Sequence, residues 1–105
     1  QVLAEKGYFS LECLKEFGQP GSVFHEHPPK PGYIDGIEAA TGSLGHGLPI
    51  SAGYAYANAK NGNLINTICV LGDGDLQEGS NLEIFHSLER LKDCNLKIII
   101  STSGW

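Results

Sequence analysis

The residues best placed to do chemistry follow an apolar run in the second half of the chain. Residues 66–71 (NTICVL) favour a β-strand, which stops at Gly72-Asp73-Gly74 before a helix begins. Two glycines that flank a carboxylate let the backbone approach a ligand closely, with Asp73 beside it. In open α/β sheets, ligands bind beyond the carboxyl ends of the strands. This turn is therefore predicted to form part of a ligand site, although the spacing alone does not identify the ligand.

A second strand is predicted to bring another polar segment to the same edge. Residues 78–92 favour a helix, and residues 96–101 favour an isoleucine-rich strand that is buried on both faces, as in a parallel sheet. The apolar stripe of that helix consists of Leu82, Phe85, Leu88 and Leu91. A right-handed strand–helix–strand crossover makes the two strands parallel, so Asp73 and residues 102–105 should lie at one edge. A carboxylate, a neutral side-chain oxygen and a main-chain carbonyl can bind Mg²⁺ there, with diphosphate oxygens in the remaining positions.

A glycine-rich segment precedes these elements. Residues 41–47 (TGSLGHG) lead into a helix of small residues at 48–60, and such a segment lets backbone N–H groups and a helix N-terminus face a polar ligand. Its order differs from the dinucleotide pattern G-x-G-x-x-G. The small residues of the helix are predicted to pack closely against a sheet; they are Ala52, Gly53, Ala55, Ala57 and Ala59.

The first forty residues favour short helices and one long loop. Residues 2–6 are typical of the end of a helix, and Ser10 is predicted to cap a short helix at 11–17 that buries one face. Residues 19–40 contain four of the five prolines and are predicted to form a loop. Because so long a loop is uncommon unless it is functional or disordered, it is either a functional loop or a solvated surface loop. Its titratable residues are His25, Glu26, His27 and Asp35.

Composition limits the classes of function. The 105 residues are 41% hydrophobic and 18% charged, which is typical of a globular protein, and the longest apolar run is too short to span a membrane. The net charge of −5 and the lack of any Lys/Arg cluster argue against nucleic acid as a partner. The three separated cysteines, Cys13, Cys69 and Cys94, are predicted to be buried thiols in a reducing, cytoplasmic compartment. Since the chain begins without Met, residues 1–105 are expected to be part of one domain truncated at both ends.

Taken together, the motifs resemble the N-terminal, thiamine-diphosphate-binding domain of transketolase, including the N-terminal subunits of two-component transketolases. The matching segments are residues 3–9 (LAEKGYF), 17–18 (FG), 27–28 (HP), 41–47 (TGSLGHG), 71–79 (LGDGDLQEG) and 95–100 (NLKIII). GDG alone is common, but GDG followed by LQEG and preceded by TGSLGHG is specific. The resemblance implies an α/β chain, a partial three-layer thiamine-diphosphate-binding fold with parallel strands and crossover helices.

The resemblance assigns a metal and diphosphate site. Asp73 corresponds to the Mg²⁺ ligand of the family, and Gly72 and Gly74 correspond to the glycines that let the diphosphate approach. The second side-chain ligand of the family is an asparagine thirty positions later, where this chain has Ser103. The main-chain carbonyl ligand falls at Trp105. A serine hydroxyl is a shorter and poorer metal ligand than an amide carbonyl.

The resemblance also implies roles outside the metal site. His27 corresponds to a catalytic histidine near the thiazolium ring and the substrate hydroxyls. Gly42 and Leu44 correspond to the segment that packs on the aminopyrimidine ring of the cofactor, and His46 is expected to line the site. Glu78, the acid of LQEG, is expected either to support the helix turn or to act as a ligand.

The implied activity is the transfer of a two-carbon ketol unit between sugar phosphates, through thiamine diphosphate and Mg²⁺. The implied partner is a pyrimidine-binding domain or subunit, within a homo- or hetero-oligomer, and these 105 residues alone are not expected to be active. The departure at Ser103 motivates an alternative, a non-catalytic transketolase-like interaction protein. Deoxyxylulose-phosphate synthases and 2-oxo-acid dehydrogenases match less well, because LQEG and AEKGYF are typical of transketolases. A Ca²⁺ loop built from Asp73, Asp75 and Glu78 lacks the twelve-residue ligand spacing.

Overall fold

Two compact units make up the chain. The computed structural model describes residues 1–103, so Trp105, the expected main-chain metal ligand, lies outside the described residues. The first unit is Gln1–Gly42, and the second unit begins at Ser43. Among residues 1–103, no helix combines the length and the hydropathy that crossing a bilayer requires.

The first unit contains little regular structure. Helix α1 is Val2–Glu5, and a 3₁₀ helix follows at Leu11–Glu16. The predicted cap is confirmed, because the Ser10 hydroxyl oxygen accepts a hydrogen bond from the N–H of Glu12 at 3.3 Å. The predicted buried face is wrong: Leu11 is 53% exposed and Phe17 is 56% exposed. A 3₁₀ helix repeats every three residues and winds more tightly than an α-helix, and this one has no buried residue. Residues 19–40 form the predicted loop, without a helix or strand.

The second unit is built on two parallel strands, as the sequence predicts. Strand β1 is Thr67–Gly72 and strand β2 is Leu96–Ser101. They pair in parallel, with Thr67 beside Leu96 at one end and Gly72 beside Ser101 at the other. The carboxyl ends of both strands therefore lie at the same edge of the sheet.

Two helices supply the core against this sheet. Helix α2 is Gly47–Lys60 and helix α3 is Gly79–His86. Leu48, Cys69 and Leu71 form the buried cluster, against which Ile84, Phe85, Leu96 and Ile98 pack. The prediction that the small residues of α2 pack closely holds for Ala52 and Ala55, which are buried. It is wrong for Gly53, Ala57 and Ala59, which are exposed because they lie on the outer side of the helix.

The cysteines differ in burial. Cys69 is buried in the core, whereas Cys13 and Cys94 are partly exposed, so the prediction of buried thiols holds for one of the three. All three are free thiols. Burial raises the pKa of the Cys69 thiol, a hydrogen bond with Ser51 opposes that shift, and the negative charge of Asp75 adds to it.

The helix predicted at residues 78–92 is shorter than expected. Helix α3 ends at His86, and a separate 3₁₀ helix occupies Leu88–Leu91. The predicted apolar stripe is not a buried stripe, because Leu82 is 47% exposed and Leu88 is 39% exposed. The fully buried residue of α3 is Asn81, whose side-chain N–H donates to the main-chain carbonyl of Asp75 at 2.8 Å. This inward hydrogen bond turns a polar side chain toward the interior and leaves Leu82 outside.

The prediction that strand β2 is buried on both faces is also wrong for the described residues. Ile68 and Val70 on β1 are 59% and 67% exposed, and Ile99 on β2 is 52% exposed. The reason is that both helices supply their core residues to the face that carries Cys69 and Leu71. The isoleucines of β2 favour a strand, but burial of its second face would need another layer of structure packed against the sheet.

Candidate functional site

A carboxylate and a hydroxyl meet where the two strands end. Strand β1 runs into a 3₁₀ helix at Asp73–Gln77, and Ser103 lies two residues after the end of β2. The Asp73 Oδ2 atom accepts a hydrogen bond from the N–H of Ser103 at 3.2 Å and another from the Ser103 hydroxyl. The parallel pairing thus brings together two predicted metal ligands that are thirty residues apart.

Hydrogen bonds from Ser103 and Gly74 favour the charged form of the Asp73 carboxylate. The Ser103 hydroxyl, and then the Ser103 N–H, lower the pKa of the Asp73 carboxyl, and the N–H of Gly74 adds to this by donating to Oδ1 at 2.9 Å. Within residues 1–103, no group of three or more His, Cys, Asp or Glu side chains is arranged to hold a metal. A cation held by Asp73 and Ser103 would combine one carboxylate with neutral oxygens and oxygens of a bound ligand, which is a donor set that Mg²⁺ accepts.

A Cβ atom at either glycine that flanks Asp73 would fit among the described residues. Neither Gly72 nor Gly74 has a positive φ angle. A Cβ atom added at Gly72 would lie 3.8 Å from Asp75 Oδ2, and one added at Gly74 would lie 3.6 Å from Leu44 Cδ1, both ordinary contacts. Within residues 1–103, neither backbone conformation nor packing requires glycine at 72 or 74, and a turn with two glycines can admit a ligand close to its backbone. The residues present therefore fit a diphosphate held beside Asp73.

The glycine-rich segment contributes to the same corner of the second unit. The N–H of Gly45 donates to Asp75 Oδ1 at 2.9 Å, and the Ser80 hydroxyl donates to the Gly45 carbonyl at 2.6 Å. The Leu44 side chain, 52% exposed, lies beside Gly74. His46 is exposed, with its Nδ1 atom 3.1 Å from the carbonyl oxygen of Leu44. Leu44 is therefore next to the predicted diphosphate turn, while the His46 ring is held against its own loop.

Sequence reasoning missed the supporting residues of this corner. Asp75 Oδ2 accepts a hydrogen bond from the N–H of Gly72 at 3.1 Å, in addition to the bond from Gly45. Asn81 is 0% exposed, and its side-chain oxygen accepts no hydrogen bond from residues 1–103. An acid three positions after Gly72 is a helix-start signal that could have identified Asp75. Ser80 and Asn81 carry no such signal in the sequence, because their partners lie at a distance along the chain or on the main chain.

Two other predicted residues lie together in the first unit. A Cβ atom added at Gly42 would lie 3.0 Å from His27 Cγ, so the imidazole ring packs directly on Gly42.

Glu78 belongs to the second unit, where it stands at the N-cap of α3 and its carbonyl accepts the N–H groups of Asn81 and Leu82, each at 3.1 Å. The main chain of Glu78 therefore begins the helix, whereas its side chain makes no capping hydrogen bond among the described residues, so the expected role of the acid stays a prediction.

The architecture of the second unit defines a class of protein. Parallel strands, a crossover helix and an oxygen-rich corner at the carboxyl edge are typical of α/β proteins that bind a ligand at the strand ends. Residues 2–100 match the family model of the transketolase thiamine diphosphate binding domain. The chain belongs to this family. The family resemblance and the partial α/β fold expected from the sequence are thereby confirmed.

Individual relatives support the same assignment. The chain is 40% identical over 97 residues to a subunit of the apulose-4-phosphate transketolase of Actinobacillus succinogenes, covering 92% of this chain and 35% of that protein. It is 37% identical over 99 residues to the subunit of the same name from Phocaeicola vulgatus, covering 94% and 34% of the two chains. It is 40% identical over 89 residues to the transketolase of Geobacillus stearothermophilus, covering 74% and 13%. The chain thus spans about a third of the length of the two apulose-4-phosphate transketolase subunits and less of the transketolase.

Proposed function

We propose that this chain forms the thiamine-diphosphate- and Mg²⁺-binding corner of a transketolase that transfers a two-carbon ketol unit between sugar phosphates. The observation that carries the proposal is the meeting of Asp73 and Ser103 at the carboxyl edge of the parallel strands. Membership of the family supports the cofactor, and the relatives named as transketolases support the reaction.

The proposed metal ligands are oxygen atoms of this corner. The Asp73 carboxylate supplies the negative charge, the Ser103 hydroxyl supplies a neutral oxygen, and the carbonyl of Trp105 is the third proposed ligand. Gly72 and Gly74 are proposed to give the diphosphate access to the backbone. Packing among residues 1–103 does not require glycine at either position, so access for a ligand is the role that we propose for them. When bound, thiamine diphosphate supplies an electron sink next to the bond that is cleaved.

The proposed roles of the other residues follow their chemistry. Leu44 presents an exposed apolar side chain beside Gly74 for a flat cofactor ring. In the first unit, Gly42 and His27 form one packed surface, and the ring nitrogens of His27 are proposed as donors and acceptors toward substrate hydroxyls. His46 is proposed only to line the site, because its Nδ1 atom faces its own loop.

The proposed partner is a pyrimidine-binding domain or subunit in a homo- or hetero-oligomer. It is supported by the two relatives named as subunits of a transketolase, of which this chain covers about a third. We also propose that residues 1–105 are part of one thiamine-diphosphate-binding domain and that the protein is cytoplasmic.

Calorimetric titration of the complete protein that contains this chain tests the proposal. Thiamine diphosphate is titrated with and without excess Mg²⁺, into the unchanged protein and into Asp73→Asn. We expect Mg²⁺-dependent binding that Asp73→Asn abolishes, because the substitution removes the charged metal ligand. Asp93→Asn, which neutralises an exposed carboxylate in a turn outside the corner, is the matched control and should bind as the unchanged protein does.

One observation favours a second candidate function, a transketolase-like protein that binds a partner without catalysis. Ser103 stands where an amide ligand is expected, and its hydroxyl and N–H both donate to Asp73, so the carboxylate is satisfied within the protein. Ser103→Asn separates the two functions in the same titration. Binding by the unchanged protein supports the enzyme, and no binding by the unchanged protein contradicts it. Binding that appears only in Ser103→Asn then traces the loss to the missing amide ligand and favours the interaction protein.

A further inference from the structure

The carboxylate of Asp75 joins two segments of the corner that are far apart in the chain. Its Oδ2 atom accepts the N–H of Gly72 at 3.1 Å, and its Oδ1 atom accepts the N–H of Gly45 at 2.9 Å. Gly72 ends strand β1 beside Asp73, whereas Gly45 lies thirty residues before Asp75. Both carboxylate oxygens are thus used, one on each side of the corner.

Helix capping explains only half of this arrangement. An acid at the third position of a helix commonly accepts the N–H of the capping residue, and the bond from Gly72 has this form in the 3₁₀ helix Asp73–Gln77. Capping does not call for a second bond to a segment thirty residues away. The bond to Gly45 therefore has a separate role, because it fixes residues 43–47 against the turn that carries Asp73.

Other contacts hold the same segment in the same place. Ser80 donates to the carbonyl of Gly45 at 2.6 Å, so both peptide groups that flank Gly45 are tied to the second unit. The main-chain carbonyl of Asp75 accepts the buried Asn81 side-chain N–H at 2.8 Å, which fixes the backbone that carries the carboxylate. With this segment in place, Leu44 lies beside Gly74.

We infer that Asp75 is a positioning residue for the cofactor corner. It holds the segment that carries Leu44 at a fixed separation from the Gly72-Asp73-Gly74 turn, so that ring and diphosphate contacts are available together. The inference rests on the proposed function for its ligand, whereas the bridge itself is a property of the fold.

Backbone amide exchange in the absence of cofactor tests the bridge. Asp75→Ala should speed hydrogen exchange at both Gly45 and Gly72, while the amide of Ala55 within helix α2 exchanges as before. Asp75→Asn keeps the side-chain volume but offers one acceptor oxygen and one donor group, so it should expose one of the two glycine amides and protect the other. General destabilisation would speed exchange at all three amides, so this pattern is specific to the bridge, and Asp75→Asn carries the test if Asp75→Ala does not fold.

Titration of thiamine diphosphate with excess Mg²⁺ into the complete protein tests the positioning role. We expect Asp75→Ala to weaken binding by about 10- to 100-fold, as loss of a supporting hydrogen-bond partner does at metal sites. Asp75→Asn should lie between Asp75→Ala and the unchanged protein, and Asp93→Ala should leave binding unchanged.

The two measurements separate the inference from the proposed function. Unchanged exchange at Gly45 in Asp75→Ala overturns the bridge whatever the cofactor does. Faster exchange with unchanged affinity overturns the positioning role. If the unchanged protein binds no cofactor, the proposed function and the positioning role both fall, and the exchange pattern alone decides the bridge.

Discussion

Two glycine segments form the candidate corner, and they use glycine for opposite reasons. Gly45 has a φ angle of +79°, and a Cβ atom there would lie 2.6 Å from Ser80 Oγ and 2.8 Å from the Cβ of Glu78. At Gly72 and Gly74 a Cβ atom would meet only ordinary contacts, and neither φ is positive. Backbone conformation and packing therefore favour glycine at 45, whereas packing among residues 1–103 does not require it at 72 or 74. Substitution by alanine should separate these roles, since one class should change stability and the other ligand binding.

The largest effect is expected at Gly45. Gly45→Ala should lower the free energy of unfolding by about 2–5 kcal/mol, the sum of a left-handed backbone penalty and an overpacking cost. Denaturant unfolding of the complete protein, followed by circular dichroism, measures the change. A loss as small as that expected of an ordinary surface substitution would contradict the structural role of this glycine.

Gly74→Ala should have the reverse profile. We expect little change in unfolding, because the added Cβ atom would lie 3.6 Å from Leu44 Cδ1, but weaker binding of thiamine diphosphate. A steric loss of about 1.4 kcal/mol corresponds to a tenfold weaker affinity. Calorimetric titration in excess Mg²⁺ measures it, and Gly72→Ala, on the other side of Asp73, is the paired variant. Full affinity in both variants would show that the space beside Asp73 is not used by the diphosphate.

The strands and the position of Asp73 could be predicted from the sequence alone. The strands were predictable because residues 66–71 and 96–101 are apolar runs of strand length, and the crossover fixes that they are parallel. Asp73 was predictable because it stands between glycines at the end of a strand. The meeting of Asp73 with Ser103 then follows from parallel pairing, without any further signal.

The supporting contacts of the corner were not predictable in the same way. The bond from Gly45 to Asp75 joins residues thirty positions apart, and nothing in either local pattern specifies the partner. The helical stripe pointed to Leu82 as a core residue, but the buried residue is Asn81, whose side chain donates to the main-chain carbonyl of Asp75 in the preceding 3₁₀ helix. Hydrophobic periodicity cannot anticipate a buried polar group, because it treats the polar side chain as solvent-facing.

A smaller effect on stability is expected from the contact that fixes the carbonyl of Gly45. Ser80→Ala removes the hydroxyl that donates to this carbonyl at 2.6 Å, and it should cost about 1 kcal/mol, the net value of a typical hydrogen bond. Ser80→Thr keeps the hydroxyl and is the matched control for the donor. If unfolding shows that Ser80→Ala is as stable as the unchanged protein, this bond does not contribute to holding the segment.

The smallest effect, and one of opposite sign, is expected at a glycine that belongs to neither segment. Gly53 lies inside helix α2 and is exposed, and among residues 1–103 an added Cβ would meet no atom within 4 Å beyond its chain neighbours and the helix's own backbone. Gly53→Ala should raise the free energy of unfolding by roughly 0.5–1 kcal/mol, because alanine loses less conformational freedom than glycine in a helix. Cofactor affinity should not change. Gly45→Ala, Gly74→Ala and Gly53→Ala would then give three different outcomes: a large loss of stability, a loss of binding and a small gain of stability. A loss of stability in Gly53→Ala would show that room for a Cβ atom does not identify a glycine that tolerates substitution in this fold.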